Sequence, residues 1–526
     1  MVDLHCFSNG TVVDRTGVAV SCIRGQRYSG LFPFPAKSHM RIFAPLLLEL
    51  ADRGHHLTVY TPYPETVKHP NITDVAMVQI DYTEHKLPDL FAVRGPIAYV
   101  HSHCEMGISI TDAFFQDPAI KQLLRNKNDN FDLMIIEAFF NEALLGFAHK
   151  FKVPVVEMSS VAGATWVYDW SLNPEPFSYV PNNYVPYGDK MNFLQRFHNA
   201  FISTYIRLWR KFYYLPEQEA IMRKYFKNFE DLPTIEYIEN HVSLLFLNQH
   251  FSWATPRSFL PNVVPVGGLH IGLTKHKTLP KDLQKYMDEA TDGVIYFSMG
   301  THLPSSVMPE SLRKTFLEAF SNFKQRFIWK INSDYIPSTC KNDTNLKVSE
   351  YLPQFDLLHH PNLKIFITHC GVSSLQEIMH VGIPIIVIPI FGDQVHNCKK
   401  LEQEGAAVIL DYDHITVESV TSAIQEVLQP KYRENAQRLS RIFHDQPLSP
   451  LKTAVYWTEY VIRHKGAPHL RSAAADLNWF QYFLLDVISV LTLTIALIMY
   501  LLFTCLKVVY SKLGTTFEIY KTMKVD

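Results

Sequence analysis

The chain has no C-x-x-C pair, no G-x-G-x-x-G after a strand-like run and no G-x-x-x-x-G-K-[ST]. The usual sequence marks of zinc and dithiol sites, dinucleotide folds and P-loops are therefore missing. It also lacks charge of one sign: 49 Lys and Arg against 51 Asp and Glu leave −2. There is no basic field of the kind nucleic-acid binders carry, so no nucleic-acid partner is expected. Glycine and proline are sparse, 21 and 31 of 526 residues, which excludes collagen-like and low-complexity chains. What remains is 47% hydrophobic and 19% charged. At about 150 residues per domain, this length gives three to four units, or two large ones with additions. The seven cysteines, Cys6, Cys22, Cys104, Cys340, Cys370, Cys398 and Cys505, are an odd number scattered over the chain, and no disulfide framework is readable from them.

One long apolar run is present. VISVLTLTIALIMYLLFTCL, residues 487–506, carries no charge, and about 20 helical residues span a hydrocarbon core. Lys507, Lys512, Lys521 and Lys524 follow it, whereas Arg471 is the one basic residue in the stretch just before. The positive side faces the cytosol, so residues 507–526 are expected to be a cytosolic tail and the body, up to about residue 480, to lie in a lumen or outside the cell. The sequons at Asn9, Asn71 and Asn342 then become glycosylation candidates. Residues 1–27 are poorly defined: the apolar run 17–23 between Arg15 and Arg24 is a minimal match to a secretory signal.

Residues 28–250 open with strand, loop, helix, strand. YSGLFPF is apolar, PAKSH is turn-rich, Phe43, Leu46, Leu47 and Leu50 recur at helical spacing, Gly54 stops the run and HLTVYTP resumes as strand. The same alternation returns at 132–138, 140–150 and 153–159, the pattern of a parallel sheet with crossover helices. Between about 160 and 240 the chain turns helical and aromatic, which reads as an interior helix pair or, alternatively, an apolar ligand lining. After a connection over 251–290, residues 291–480 repeat the alternation in VIYFSMGT, RFIWKI, LKIFITH, IPIIVIPIF and GAAVIL, with helices between. The fold class is α/β: two Rossmann-like domains whose strand ends border a cleft, where ligands of such sheets bind.

The run from Phe366, FITHCGVSSLQEIMHVGIPIIVIPIFGDQ, holds most of the chemistry. A buried strand delivers His369 and Gly371 to a helix start, where Ser373 and Ser374 offer hydroxyls beside unpaired N–H groups. Gly371 permits close backbone approach, and a helix N-terminus favours phosphate by about 0.3–1 kcal/mol. His369 can donate to the same oxygens. Each part suits a nucleotide diphosphate.

This run resembles the signature of the UDP-glycosyltransferase superfamily, in its membrane-anchored, UDP-glucuronosyltransferase-like animal form, and the resemblance extends through both domains into the apolar tail. It implies a GT-B fold of two facing Rossmann-like domains and a UDP-sugar co-substrate. By that resemblance His369, Ser373 and Ser374 touch the diphosphate, Glu377 binds ribose hydroxyls, and Asp393 and Gln394 hold sugar hydroxyls. YLPQFDLLHHP is similar to the family's W-x-P-Q segment and puts Tyr351 under the uracil and Gln354 at its edge; Tyr in place of Trp keeps a stacking face. FSMGT resembles F-S-x-G-[ST] and puts Gly300 and Thr301 near the phosphates. LFPFPAKSHMRIFAPLLLELADRGHHLTV resembles the opening strand-loop-helix and gives His39 the general base's position.

The chemistry wants such a group. An alcohol attacking an anomeric carbon must lose a proton, and an imidazole takes it near neutral pH for about a 10²–10⁴-fold gain. Direct displacement inverts the anomeric centre. A carboxylate should orient the far ring nitrogen. The family has Asp there; this chain offers Glu137, with Glu142 as a shifted alternative. The expected activity is inverting transfer of a hexosyl group, glucose or glucuronic acid, to a hydroxyl of a small lipophilic acceptor. The alternative is a non-catalytic, membrane-anchored carrier of lipophilic ligands on the same fold.

HSHCE, residues 101–105, raises the question of a metal, but side chains at i and i+2 diverge on a helix and a site needs three or four convergent ligands. No metal or other cofactor is expected. The closing KTMKVD partly resembles a dilysine retrieval signal, and the family resemblance implies residence in the endoplasmic reticulum membrane with a lumenal catalytic domain. A homo-oligomer is compatible with the sequence.

Overall fold

The computed structural model describes residues 11–13, 19–21, 25–77, 93–126, 128–271, 277–300, 308–337 and 345–522. Thr301, the sequons at Asn9 and Asn342, and most of the signal-like run lie outside them. Within that run Ala19–Ser21 pairs antiparallel with Thr11–Val13.

Residues up to Arg471 form one compact unit containing two parallel sheets. The first sheet has seven strands: β1 (Arg27–Leu31), β2 (His56–Thr61), β3 (Ile72–Ala76), β4 (Leu133–Glu137), β5 (Val155–Ser159), β6 (Leu244–Leu247) and β7 (Val263–Pro265), in spatial order β3-β2-β1-β4-β5-β6-β7. The second has six: β8 (Val294–Ser298), β9 (Arg326–Lys330), β10 (Leu346–Ser349), β11 (Leu363–Thr368), β12 (Ile385–Val387) and β13 (Ala407–Ile409), in order β10-β9-β8-β11-β12-β13. In each sheet the order reverses beside the first strand, which creates the crevice at strand carboxyl ends where open α/β sheets bind ligands. Central strands such as LMIIE and VIYFS are buried on both faces, as continuous apolar runs in parallel sheets are.

The helices that matter for the site are α1 (Lys37–Asp52) and α2 (Pro96–Gln116), then α3 (Phe193–Trp209) and α4 (Leu215–Tyr225), joined by a π-helical turn over Arg210–Tyr214. In the second lobe they are α5 (Glu310–Phe320), α6 (Val372–Val381) and α7 (Gln394–Gln403). Helix α6 follows Gly371 and stops at Gly382, whose φ of 74° closes the helix in the left-handed region. Helix α8 (Pro450–Arg463) returns to the first lobe, where Ala454, Val455 and Val461 join the core of Tyr28, Phe43 and Leu47.

Residues 472–526 form a second unit, dominated by α9 (Leu485–Thr522). Leu485–Phe517 within it is long and apolar enough to cross a membrane and encloses the expected span.

Cys370 and Cys398 pair as a disulfide, with Cα atoms 6.3 Å apart and 28 positions of separation. Spacing alone did not reveal it, because only the fold brings the β11–α6 loop against α7. The aromatic stretch around 193–214 also departs from expectation. Ile202, Ile206 and Tyr214 are core, but the opposite face of α3 is apolar and exposed.

Candidate active site

Helix α1 begins just after the loop that follows β1, which puts His39 in its first turn at the carboxyl end of the first sheet. Glu137 ends the neighbouring strand β4 and is almost fully buried. Its Oε1 lies 2.7 Å from His39 Nδ1, and its Oε2 accepts from the Phe34 N–H at 3.4 Å. A carboxylate only accepts, so Nδ1 carries the proton and Nε2 presents a lone pair. Phe34 stacks on the imidazole at 4.7 Å and Phe139 meets its edge at 5.0 Å, which fixes the ring plane. Glu142 goes elsewhere: Tyr214 Oη donates to it and Arg210 Nη2 stands 3.2 Å away. The longer Glu side chain thus reaches the imidazole from position 137.

Across the cleft, β11 delivers His369 to the start of α6. A Cβ on Gly300 or on Gly371 would lie 2.6–2.7 Å from ring atoms of His369, so both positions need glycine for the imidazole to sit between them. Gly300 also has φ 84°. Ser373 and Ser374 occupy the first turn of α6. Gln354 Nε2 donates to Ser374 Oγ at 3.0 Å and to Glu377 Oε2 at 2.7 Å, which gathers these three into one polar group. Burial pushes the Glu377 carboxyl up to about 7, against the Gln354 hydrogen bond and the nearby Arg41. Tyr351 sits just beyond β10 with its ring largely exposed. Asp393 precedes α7; burial raises its carboxyl, opposed by the Asn397 hydrogen bond and, from the other lobe, by the field of His39. Gln394 Oε1 accepts from the Ile390 and Phe391 N–H groups at 2.8 and 3.3 Å.

Several contributors carry no sequence signal of their own. Ser160 Oγ stands 3.4 Å from His39 Nε2. Asn248 Nδ2 donates to the Ser160 carbonyl at 2.8 Å, and Gln376 of α6 donates to Asn248 Oδ1 at 2.7 Å. Gln376 Oε1 in turn accepts from the Gly268 N–H at 2.9 Å. This buried polar chain joins the base's surroundings to the helix of the second lobe. Of its members only Gln376 lies inside a motif. His270, held down to about 4 by burial, brings Nε2 within 3.9 Å of Glu377 Oε1. Tyr99 Oη donates to the Ile390 carbonyl at 3.0 Å, a second tie across the cleft.

The HSHCE residues do not converge. His101 stacks on Trp209 and meets Tyr205 Oη at 2.6 Å, while His103 donates to the Tyr99 carbonyl at 2.6 Å. Among the described residues no three His, Cys, Asp or Glu side chains are grouped to hold a metal ion.

The architecture is shared with solved glycosyltransferases and is of the GT-B type. Medicago truncatula UGT71G1 complexed with UDP-glucose superposes with a TM-score of 0.55 at 14% identity, over 83% of this chain and 98% of that one. The calicheamicin glycosyltransferase CalG4 gives 0.53 at 16%, over 84% and 99%. In sequence, UDP-glycosyltransferase UGT5 of Dactylopius coccus is 37% identical over 91% of both chains. UDP-glucuronosyltransferase 2C1 of Oryctolagus cuniculus is 33% identical over 91% of this chain and 97% of its own. The sequence pattern of the family described as UDP-glucoronosyl and UDP-glucosyl transferase matches residues 35–518. With a match of that extent, this chain belongs to the UDP-glucuronosyl and UDP-glucosyl transferase family and is a UDP-glycosyltransferase.

Proposed function

We propose that the enzyme transfers a hexosyl group, glucose or glucuronic acid, from its UDP-sugar to a hydroxyl of a small lipophilic acceptor, with inversion and with His39 as general base. The observation that carries this reading is the His39–Glu137 contact: it leaves the Nε2 lone pair available, in electrostatic reach of Asp393 on the opposite lobe. As the acceptor oxygen bonds to the anomeric carbon, the bond to the β-phosphate oxygen breaks on the far side. The acceptor proton passes to Nε2, and Glu137 stabilises the imidazolium that results.

The donor roles follow the same geometry. His369, Gly300, Gly371 and the N-terminal turn of α6 with Ser373 and Ser374 suit the diphosphate, and Thr301 adjoins Gly300 in sequence. Glu377 suits the ribose hydroxyls, and Tyr351 with Gln354 the uracil. Asp393 suits the sugar hydroxyls; since the Gln394 carbonyl oxygen is engaged by backbone, Gln394 would reach the sugar through Nε2. No step needs a metal. Phe34, Phe139 and the neighbouring Phe140 give the His39 side an apolar wall, which favours lipophilic acceptors. The apolar helix and the lysines after it favour a membrane-anchored enzyme of the endoplasmic reticulum with a lumenal body.

Product analysis tests the reading. UDP-glucose and UDP-glucuronic acid are supplied with a panel of phenols and alcohols, and the product's anomeric configuration is read by NMR. Inverted glycosides support it; retained configuration, or binding of both substrates without UDP release, removes it.

A further inference from the structure

Helix α3 shows an outer face that a soluble body does not need. Its start is fixed by a capping box, Asn192 Oδ1 accepting from the Gln195 N–H at 3.0 Å and Gln195 Oε1 from the Asn192 N–H at 2.9 Å. Asn199, Ile202, Ser203 and Ile206 face inward. On the opposite side Phe193, Phe197, Phe201 and Leu208, and then Phe212 of the π-helical turn that follows, come at steps of four or seven, each more than half exposed, and Leu194 lies beside them. An ordinary amphipathic helix turns charge to the outside, and monomeric soluble proteins rarely leave so continuous an apolar strip uncovered.

The charge pattern says what covers it. No Asp or Glu occurs from Phe193 to Tyr214, while Arg196, Arg207, Arg210 and Lys211 do. Arg207 and Arg210 are turned to carboxylates on the inner side, Asp169 and Glu175 for the first, Glu142 and Glu239 for the second. Arg196 and Lys211 are exposed at the edges of the strip. Large aromatic and aliphatic side chains rimmed by cations, with no acid in the segment itself and Glu236 of a neighbouring helix 3.4 Å from Lys211 as the carboxylate at its edge, match the headgroup–acyl boundary of a bilayer, where such helices lie in plane. The same chain supplies the bilayer. Residues 472–484 connect the body to the apolar span of the same chain. Exposed Trp479, Phe480, Tyr482 and Phe483 precede that span as interfacial anchors.

We infer that the outer face of α3 is a second membrane contact, a lipid-docking strip that holds the catalytic body against the bilayer its apolar helix crosses. The inference rests on the membrane-anchored reading, and photocrosslinking separates the two. Full-length protein carrying p-benzoylphenylalanine at position 197, 503 or 318 is reconstituted in phosphatidylcholine and phosphatidylserine vesicles and irradiated. Phe503 lies in the apolar helix; Glu318 is an exposed residue of α5. The expected result is lipid adducts at 197 and 503 and none at 318. Adducts at 503 with none at 197, or a covalent dimer at 197 showing that a second copy covers the strip, would overturn the docking surface alone. Failure at 503 would overturn the anchored reading, and failure at both positions would overturn the two together. Phe193→Ser with Phe201→Ser, placed beside the probe, should lower the 197 adduct yield at least several-fold while leaving 503 unchanged.

Discussion

The carboxylate of Glu137 approaches the imidazole of His39 to 2.7 Å from a buried strand end, while Glu142, five residues on, is consumed by Arg210 and Tyr214. The two carboxylates therefore differ in kind. Glu137→Gln should lower kcat about 10²-fold or more with UDP affinity unchanged, since an orienting acid in the serine-protease template is worth up to about 10⁴. Equal rates for wild type and variant would contradict the assignment.

Glu142→Gln should act on folding instead. It weakens a buried ion pair, a change that in its full form costs about 3–5 kcal/mol. Scanning calorimetry should show a lowered Tm, with kcat of the remaining folded enzyme within about two-fold. A rate loss without a change in Tm would move the orienting role to position 142.

Ser160 faces the nitrogen that would take the acceptor's proton, 3.4 Å away. Ser160→Ala should alter kcat/KM for the acceptor several-fold and leave KM for UDP-sugar unchanged, and Ser160→Thr, which keeps a hydroxyl, should recover most of it. Since Asn248 holds the Ser160 main-chain carbonyl, which the Ala variant keeps, an unchanged kcat/KM for the acceptor would contradict a role of the hydroxyl at His39.

Much of this site was legible in the sequence because it lies in contiguous stretches. SHMRIF after an apolar strand puts His39 in the first turn of a helix, and FITHCGVSSLQE puts His369, Ser373, Ser374 and Glu377 on one strand-turn-helix. What escaped is what the fold assembles from afar. Ser160, Asn248 and Gln376 meet from three separate elements, and no local pattern marks a residue whose partner is about ninety or more positions away. Cys370 and Cys398 pair for the same reason. The exposed side of α3 escaped because helical periodicity reveals faces but not which of two apolar faces a neighbour covers.

Ionisation of Glu377 should tune donor binding. Burial raises its carboxyl to about 7, so without ligand it is largely protonated below pH 7, and ribose hydroxyls are best accepted by the carboxylate. UDP-glucose affinity should therefore weaken as pH falls from 8 to 6, by roughly the protonated fraction, and Glu377→Gln should flatten that dependence. Calorimetric titration measures both; a pH-independent Kd in the wild type would refute the coupling.

The Cys370–Cys398 disulfide joins the His369–Gly371 turn to the helix that follows Asp393. By chain entropy a loop of this separation is worth about 3–4 kcal/mol. Cys398→Ser should lower Tm by several degrees and weaken UDP binding more than UDP-independent properties. An unchanged Tm under reducing and oxidising conditions would argue that the pair carries no stability.

The most direct measurement concerns His39. In His39→Ala, UDP-sugar binding and UDP release with a phenolic acceptor are followed on the same folded preparation. Donor affinity within about two-fold of wild type with transfer abolished is the predicted result. A variant that keeps half the wild-type rate would contradict an imidazole base at position 39.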